Sequence, residues 1–518
     1  MQIFDSLSQP SWFITFIPHL VVSIEILAIF SAFHALRHVR TSQAAVAWVI
    51  GLVTIPFLVL PMYWVFARHR FEGYREAIRA VGERHVQSVA SVRRELITDA
   101  NVRTTTLNTS LEYLADVLDT PLCAGNSYEL LIDGASFFDS LLKRIDAAEH
   151  YVYLEFYIIR DDEIGRKLAD ALLRCVERQV KVRLLYDEVG CLRLSRRYIR
   201  RLVAAGIDVR AFNTRQGFVN RFQINFRNHR KLAVIDGKVA FVGGLNVGDE
   251  YLGISAGRTR WRDTGLEIAG ELARKVQAVF AGDYYWAART DLPEAKWHFE
   301  LDEQVELEGH FEADRHFEAE GDFEAEGSDG ESRAIDSSFA AVCATGPADQ
   351  RPRATMMFAS TAATAKRRLW ISTPYLVPDD ALIVALSMAR ARGVDVRLLI
   401  PSIADQWAVF LAGYYYEQQL AEVGIPVYRF PKGFMHQKCV LVDDDLVLIG
   451  STNFDNRSLY LNFELMVAIA DPKLIADVAE MLEHDFAEST LSNAAGESLR
   501  PIFARMGTAV ARLFSPVL

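Results

Sequence analysis

A chain of 518 residues, 51% of them apolar, with a mean hydropathy of +0.08, is too long for one core and too polar for a polytopic membrane protein, which predicts two or three folding units with a small membrane portion. The net charge of −11 is unevenly placed: residues 300–336 hold fifteen acids against Arg315 and Arg333, so the rest of the chain is near +2 and has no general aversion to anionic partners. Five scattered cysteines (Cys123, Cys175, Cys191, Cys343, Cys439), never spaced C-x-x-C, exclude a disulfide framework and a zinc site.

The first elements in chain order are two apolar runs, WFITFIPHLVVSIEILAIFSAFHAL (about 12–36) and AAVAWVIGLVTIPFLVLPMYWVFA (about 44–67). Each is long enough to cross a bilayer of about 30 Å. Only RHVRTSQ joins them, so residues 1–69 predict a transmembrane helical hairpin with both ends on one side. The N-terminus lacks the basic region and cleavage site of a secretory signal. Glu25 is expected to face the hairpin partner or stay protonated. Arg68, Arg70, Arg75 and Arg79 follow the second run, Arg37 and Arg40 lie in the link, and the N-terminal tail has no basic residue, so the positive-inside rule puts the large body in the cytoplasm.

Residues 70–120 read as a charged, helical connector. From 121 to 295 short β-rich runs alternate with helical stretches, as in YVYLEFYII, ADALLRCVER and VKVRLLYD, the punctuation of an α/β lobe with buried strands. Residues 338–490 replay it as RLWISTPYLV, ALSMARAR and VDVRLLIP, and LVAAGIDVRAFN returns as LAEVGIPVYRF. A repeat of about 200 residues predicts two similar lobes related by pseudo-twofold symmetry, since a solenoid repeats at a far shorter period. Between them, 296–337 repeats a degenerate HFEAE unit and is expected to be a disordered, solvated insert, with a cation or partner tail using His298, His310 and His316 as the alternative. Residues 491–518 end in an amphipathic helix, suited either to a membrane surface or to packing on the protein.

The lobes share one motif. His229, Lys231, Asp236, Gly243, Gly244 and Asn246 recur at identical spacing as His436, Lys438, Asp443, Gly450, Ser451 and Asn453. On a strand, positions i and i+2 share a face, so each His points with its Lys, while strict alternation turns Asp236 and Asp443 away, toward bracing the turn that follows. One H-x-K is a common coincidence; two with the same downstream spacing are not. Two His and two Lys, with no metal cluster, suit phosphodiester transfer. One His attacks phosphorus in line, the other protonates the leaving oxygen, and the ammoniums offset charge on the non-bridging oxygens.

The doubled H-x-K-x4-D-x6-G-[GS]-x-N pattern resembles the phospholipase D superfamily. With the N-terminal apolar runs leading into RFEGYREA, and with YLEFYIIRDD, GGLNVGDEYLG, WRDTG, TPYLVPDD and DNRSLYLNFE, the chain is similar along nearly its whole length to the bacterial cardiolipin synthases. The resemblance implies a multi-pass inner-membrane enzyme without cofactor or metal, for which phosphatidylglycerol is donor and acceptor and nucleic acid is no partner. It implies a catalytic set of His229, Lys231, Asp236, His436, Lys438 and Asp443, with His229 as nucleophile and His436 as general acid and then base. Aligning the lobes makes Asp263 and Glu464 equivalent carboxylates that orient the imidazoles, with Asn246 and Asn453 at the site edge. One departure is Gly244, where a Ser is common. A phospholipase D hydrolase and a transferase using another head group remain the rivals.

Overall fold

The computed structural model describes residues 11–67, 70–71, 73–74, 109–214, 225–254, 260–296, 338–493 and 502–517. Most of the expected connector and the acidic insert lie outside them.

Two sheets of the same plan organise the body. In the first, the strand order is Asn126–Ile132, Thr264–Gly270, Val239–Gly243, Leu232–Ile235, Tyr151–Phe156, Lys181–Asp187, Asp208–Phe212. In the second it is Phe339–Thr345, Asn462–Ala470, Leu446–Gly450, Cys439–Val442, Arg368–Ser372, Asp395–Pro401, Val427–Phe430, with Thr490–Leu491 added at the edge. The orders correspond strand for strand, so the sequence repeat is a repeat of topology. In each sheet three strands run parallel through helical crossovers, and the other four add antiparallel, two of them joined by the hairpin that follows the His-x-Lys.

The strands after each His-x-Lys are buried on both faces. Leu232 and Val234 enter a core shared by the two lobes, and Ala233 and Ile235 enter the first lobe's own core. Cys439 and Leu441 likewise meet the shared core while Val440 and Val442 fill the second lobe's. Such strands read as continuous apolar runs because neither face meets water. The shared core joins the sheets face to face and fixes one motif relative to the other. All five cysteines are free and buried.

The N-terminal region departs from two full spans. Ser11–His38 is one helix, and its Pro18–His38 stretch is long and apolar enough to cross a membrane. The second run is broken at Ile55 into Ser42–Thr54 and Pro56–Phe66, and the halves fold back on each other. Pro56 has no N–H to continue the first half and disfavours helical geometry at Ile55, which adopts φ −137° and ψ 61°. Glu25 is exposed rather than facing a helix partner, since the returning halves cover the face that carries Ala28, Ser31, Ala32 and Ala35.

At the C-terminus, Ile502–Leu513 is a helix packed on Trp407–Glu422. Its Met506, Val510 and Leu513 are exposed.

Candidate active site

Each motif reaches across to the other lobe before entering its own sheet. Arg227–Asn228 pairs in parallel with the start of Asn462–Ala470, and His229 N donates to Phe463 O at 2.9 Å. Phe434–Met435 pairs in parallel with Trp261–Arg262, and His436 N donates to Arg262 O at 2.7 Å. That register sets each histidine beside the next residue of the opposite lobe, which is a carboxylate. His229 Nδ1 lies 2.9 Å and 3.0 Å from the Glu464 oxygens, and His436 Nδ1 lies 2.6 Å from Asp263 Oδ2. The two carboxylates aligned by the repeat are thus both in the site, exchanged between lobes.

Lys231 Nζ donates to His229 O at 2.5 Å. Lys438 Nζ bonds His436 O and lies 2.8 Å and 3.1 Å from the two ring nitrogens of His436. The alternation expected from the sequence holds for the intervening residues, which turn the other way. Arg230 forms a buried ion pair with Asp283, and Gln437 bonds Thr264 and Asp485 in the layer between lobes.

Asp236 and Asp443, counted with the catalytic set on the strength of the motif, take no part in this cluster. Asp236 accepts from the amides of Glu149, His150 and Tyr151 at 2.8–2.9 Å, and Asp443 from those of Lys366, Arg367 and Arg368 at 2.7–2.9 Å. Each sits at the far end of its strand from the His-x-Lys and pins the start of the neighbouring central strand. Left-handed φ values of 53° and 51° aim the carboxylates there, a conformation Asp tolerates better than most residues.

Of the supporting residues, Asn246 accepts from Ile158 N and donates to the Tyr251 hydroxyl, both at 3.1 Å. Asn453 donates to Asp455 at 3.2 Å, and its Oδ1 is buried with no partner among the described residues. Residues without an assigned role in the sequence reading also line the site. Tyr157 stands edge-on to His229 at 4.8 Å, the Tyr251 hydroxyl is 3.3 Å from His436 Nδ1, and Trp261 is 4.7 Å from the His436 ring. They lie in YLEFYIIRDD, GDEYLG and WRDTG, stretches whose family resemblance was the signal available. A groove on the second lobe is lined by Tyr375, Ile403, Asp405, Phe410, Arg429 and Phe434, and the Phe434 ring is 5.9 Å from His436.

The electrostatics of the two pairs differ. Burial lowers His229 to about 4 against the pull of Glu464, and it lowers His436 well below the ordinary value, helped by Lys438 and Lys231. Burial pushes Glu464 up, but His229, Lys231 and the Ser451 hydroxyl at 2.5 Å outweigh it and hold the carboxylate below its usual range. Asp263, raised by burial to about 7, has no such hydroxyl, because Gly244 replaces Ser and a Cβ there would fall 2.3 Å from Asp263 Oδ1. Burial lowers Lys438 to about 8 and Lys231 well below its ordinary value. In the first pair the shifts favour a neutral imidazole beside an ionised carboxylate. In the second, burial favours the neutral form of both the imidazole and the acid.

Residues 141–284 and 359–486 match a family described as cardiolipin synthase, PLD-like domain. Cardiolipin synthase A of Pseudomonas aeruginosa is 38% identical over 506 residues, covering 97% of this chain and 96% of that protein. Cardiolipin synthase A of Pseudomonas fluorescens is 36% identical over 504 residues, covering 96% and 98%. The crystal structure of phosphatidylserine synthase from Haemophilus influenzae shares the fold, with TM-score 0.57 at 17% identity, over 79% of this chain and all of that one.

Proposed function

Because the chain belongs to the cardiolipin synthases with phospholipase D-like domains, we propose that it moves a phosphatidyl group between two phosphatidylglycerol molecules, giving cardiolipin and glycerol. The observation that carries this is the crossed pair of histidines, each held at Nδ1 by the other lobe's carboxylate with two buried lysines beside them.

His229 is the nucleophile. Ionised Glu464 accepts its Nδ1–H and leaves the Nε2 lone pair free. Nε2 attacks phosphorus, the bond from phosphorus to the glycerol oxygen breaks, and His436 Nε2–H protonates that oxygen while Asp263 replaces the proton at Nδ1. A phosphohistidine results. The free hydroxyl of a second phosphatidylglycerol then attacks, giving its proton to His436, and His229 leaves. Lys231 and Lys438 offset charge on the non-bridging oxygens, and lipid enters along the groove past Phe434. The protein sits in a bacterial inner membrane with the catalytic body on the cytoplasmic side.

The test is purified full-length protein with phosphatidylglycerol in mixed micelles, beside His229→Ala, with the products separated. Cardiolipin and equimolar glycerol from the wild type alone support the proposal. Phosphatidic acid would show that water is the acceptor, and no product would redirect attention to another donor.

A further inference from the structure

We propose that the N-terminal region enters the membrane as one complete span followed by a re-entrant helical pair that penetrates a single leaflet. The N-terminal tail and the catalytic body then lie on opposite sides of the bilayer. The inference rests on the proposed membrane location and not on the reaction.

The folding back of the second apolar run carries the argument. The ring of Trp48 is 5.5 Å from that of Tyr63, and a Cβ on Gly51 would lie 3.1 Å from Val59, so Ser42–Thr54 and Pro56–Phe66 run antiparallel about Ile55. At 1.5 Å per residue these helices are about 20 Å and 16 Å long, too short to cross a hydrocarbon core of about 30 Å. The contacts with the first helix agree with that depth. Tyr63 bonds His34, Trp64 donates to Ser31 at 3.1 Å, and the residues buried against the pair are Ala28, Ala32 and Ala35, all within about ten positions of the body end. Beyond them Pro18–Leu27 continues with only Ile24 partly covered beside the pair, long enough to traverse the other leaflet.

The link between the first and second helices is attached to the body. The Arg40 guanidinium stacks on the Tyr460 ring at 3.1 Å, and Phe71 N, just past the third helix, donates to Pro347 O at 2.9 Å. Both ends of the re-entrant pair thus emerge on the body's side. The C-terminal turn Ser515–Val517 packs on Asn456–Tyr460, which brings the exposed apolar residues of Ile502–Leu513 to the same neighbourhood. The charge pattern agrees independently. In a two-span hairpin Arg37 and Arg40 would be stranded across the membrane from Arg68, Arg70, Arg75 and Arg79. In the re-entrant arrangement all six share one side, and the tail opposite has no basic residue. The occupant of this face is a phospholipid leaflet.

Single-cysteine reporters in the full chain test the arrangement, since the native cysteines are buried and should be inert to a membrane-impermeant maleimide. Ser8→Cys, Ile55→Cys and Leu192→Cys, each with activity retained, are labelled in right-side-out and inside-out vesicles. Ser8→Cys and Leu192→Cys should react in opposite vesicle types, each at least about tenfold over the other type, and Ile55→Cys only after detergent is added. Reaction of Ser8→Cys and Leu192→Cys in the same vesicle type would overturn the proposal, as would labelling of Ile55→Cys in either intact preparation. Release of the wild-type protein by alkaline carbonate would instead sink the membrane location on which the proposal rests.

Discussion

Glu464 belongs to the second lobe, yet its carboxylate holds His229 of the first, at 2.9 Å and 3.0 Å from Nδ1. Asp263 of the first lobe does the same for His436 at 2.6 Å. Neither lobe contains a complete imidazole–carboxylate pair, so the site exists only where the two sheets share their core. Glu464→Gln keeps the shape but removes the charge that fixes the His229 tautomer. Turnover should fall by about 10² to 10⁴, with KM for phosphatidylglycerol changed less than about threefold. Initial rates across a substrate range decide it, and a change confined to KM would contradict the assigned role.

Gly244 and Ser451 occupy equivalent motif positions but are not interchangeable. The Ser451 hydroxyl bonds Glu464 at 2.5 Å, whereas a Cβ at 244 would fall 2.3 Å from Asp263. Restoring the commoner residue with Gly244→Ser should therefore harm the enzyme. Displacing Asp263 by even about 1 Å costs on the order of 100-fold in kcat. Ser451→Ala, which removes the bond to Glu464 and the one accepted from Leu465 N at 2.9 Å but creates no clash, should cost about tenfold. Equal or greater activity in Gly244→Ser would show that Asp263 has room to move.

The repeat, the α/β plan of its lobes and the four basic motif residues were legible because each leaves a local mark: a fixed spacing, a two-residue alternation, or an apolar run. The exchange of carboxylates was not, because it arises from strand pairing across lobes, between Arg227–Asn228 and Asn462–Phe463, that no local pattern encodes. The fold-back at Ile55 was missed although Pro56 stood in plain view. Hydropathy over a window sums a bent and a straight helix alike, and a proline breaks or merely kinks according to its surroundings. That Asp236 and Asp443 turn away from the lysines was readable from alternation, against the pull of the motif; that they pin the start of the neighbouring strand rather than the turn that follows was not.

Those two aspartates give a prediction about stability rather than chemistry. Asp443 accepts from three backbone amides at 2.7–2.9 Å while 2% exposed. Asp443→Ala would leave those amides without their charged acceptor, at a cost of roughly 3 kcal/mol or more. The unfolding temperature should drop by several degrees, with kcat per folded molecule within about twofold of wild type. Lys438→Ala should do the reverse, abolishing turnover in a protein that remains folded. Loss of activity in folded Asp443→Ala would return that aspartate to the catalytic set.

Lys438 is expected to govern the upper part of the alkaline limb, beyond the loss of the Asp263 proton near 7. Burial lowers its ammonium from the ordinary 10.5 to about 8, so the charge opposite the phosphoryl oxygens is present below that pH and lost above it. Beyond 8 turnover should fall by about a further tenfold per pH unit, on top of the decline from the Asp263 proton, if the protonated lysine is required. The stability effect of the same group has the opposite sign. Between 8 and 10.5 the unfolded chain holds this proton and the folded chain does not, so stability on this lysine's account rises with pH across the window. Falling turnover without a matching fall in unfolding temperature is the expected signature, and Lys438→Arg, which keeps its charge, should extend the limb upward even at a lower maximum rate. A wild-type profile flat to about pH 9.5 would mean that the charge of Lys438 is not needed in the transition state.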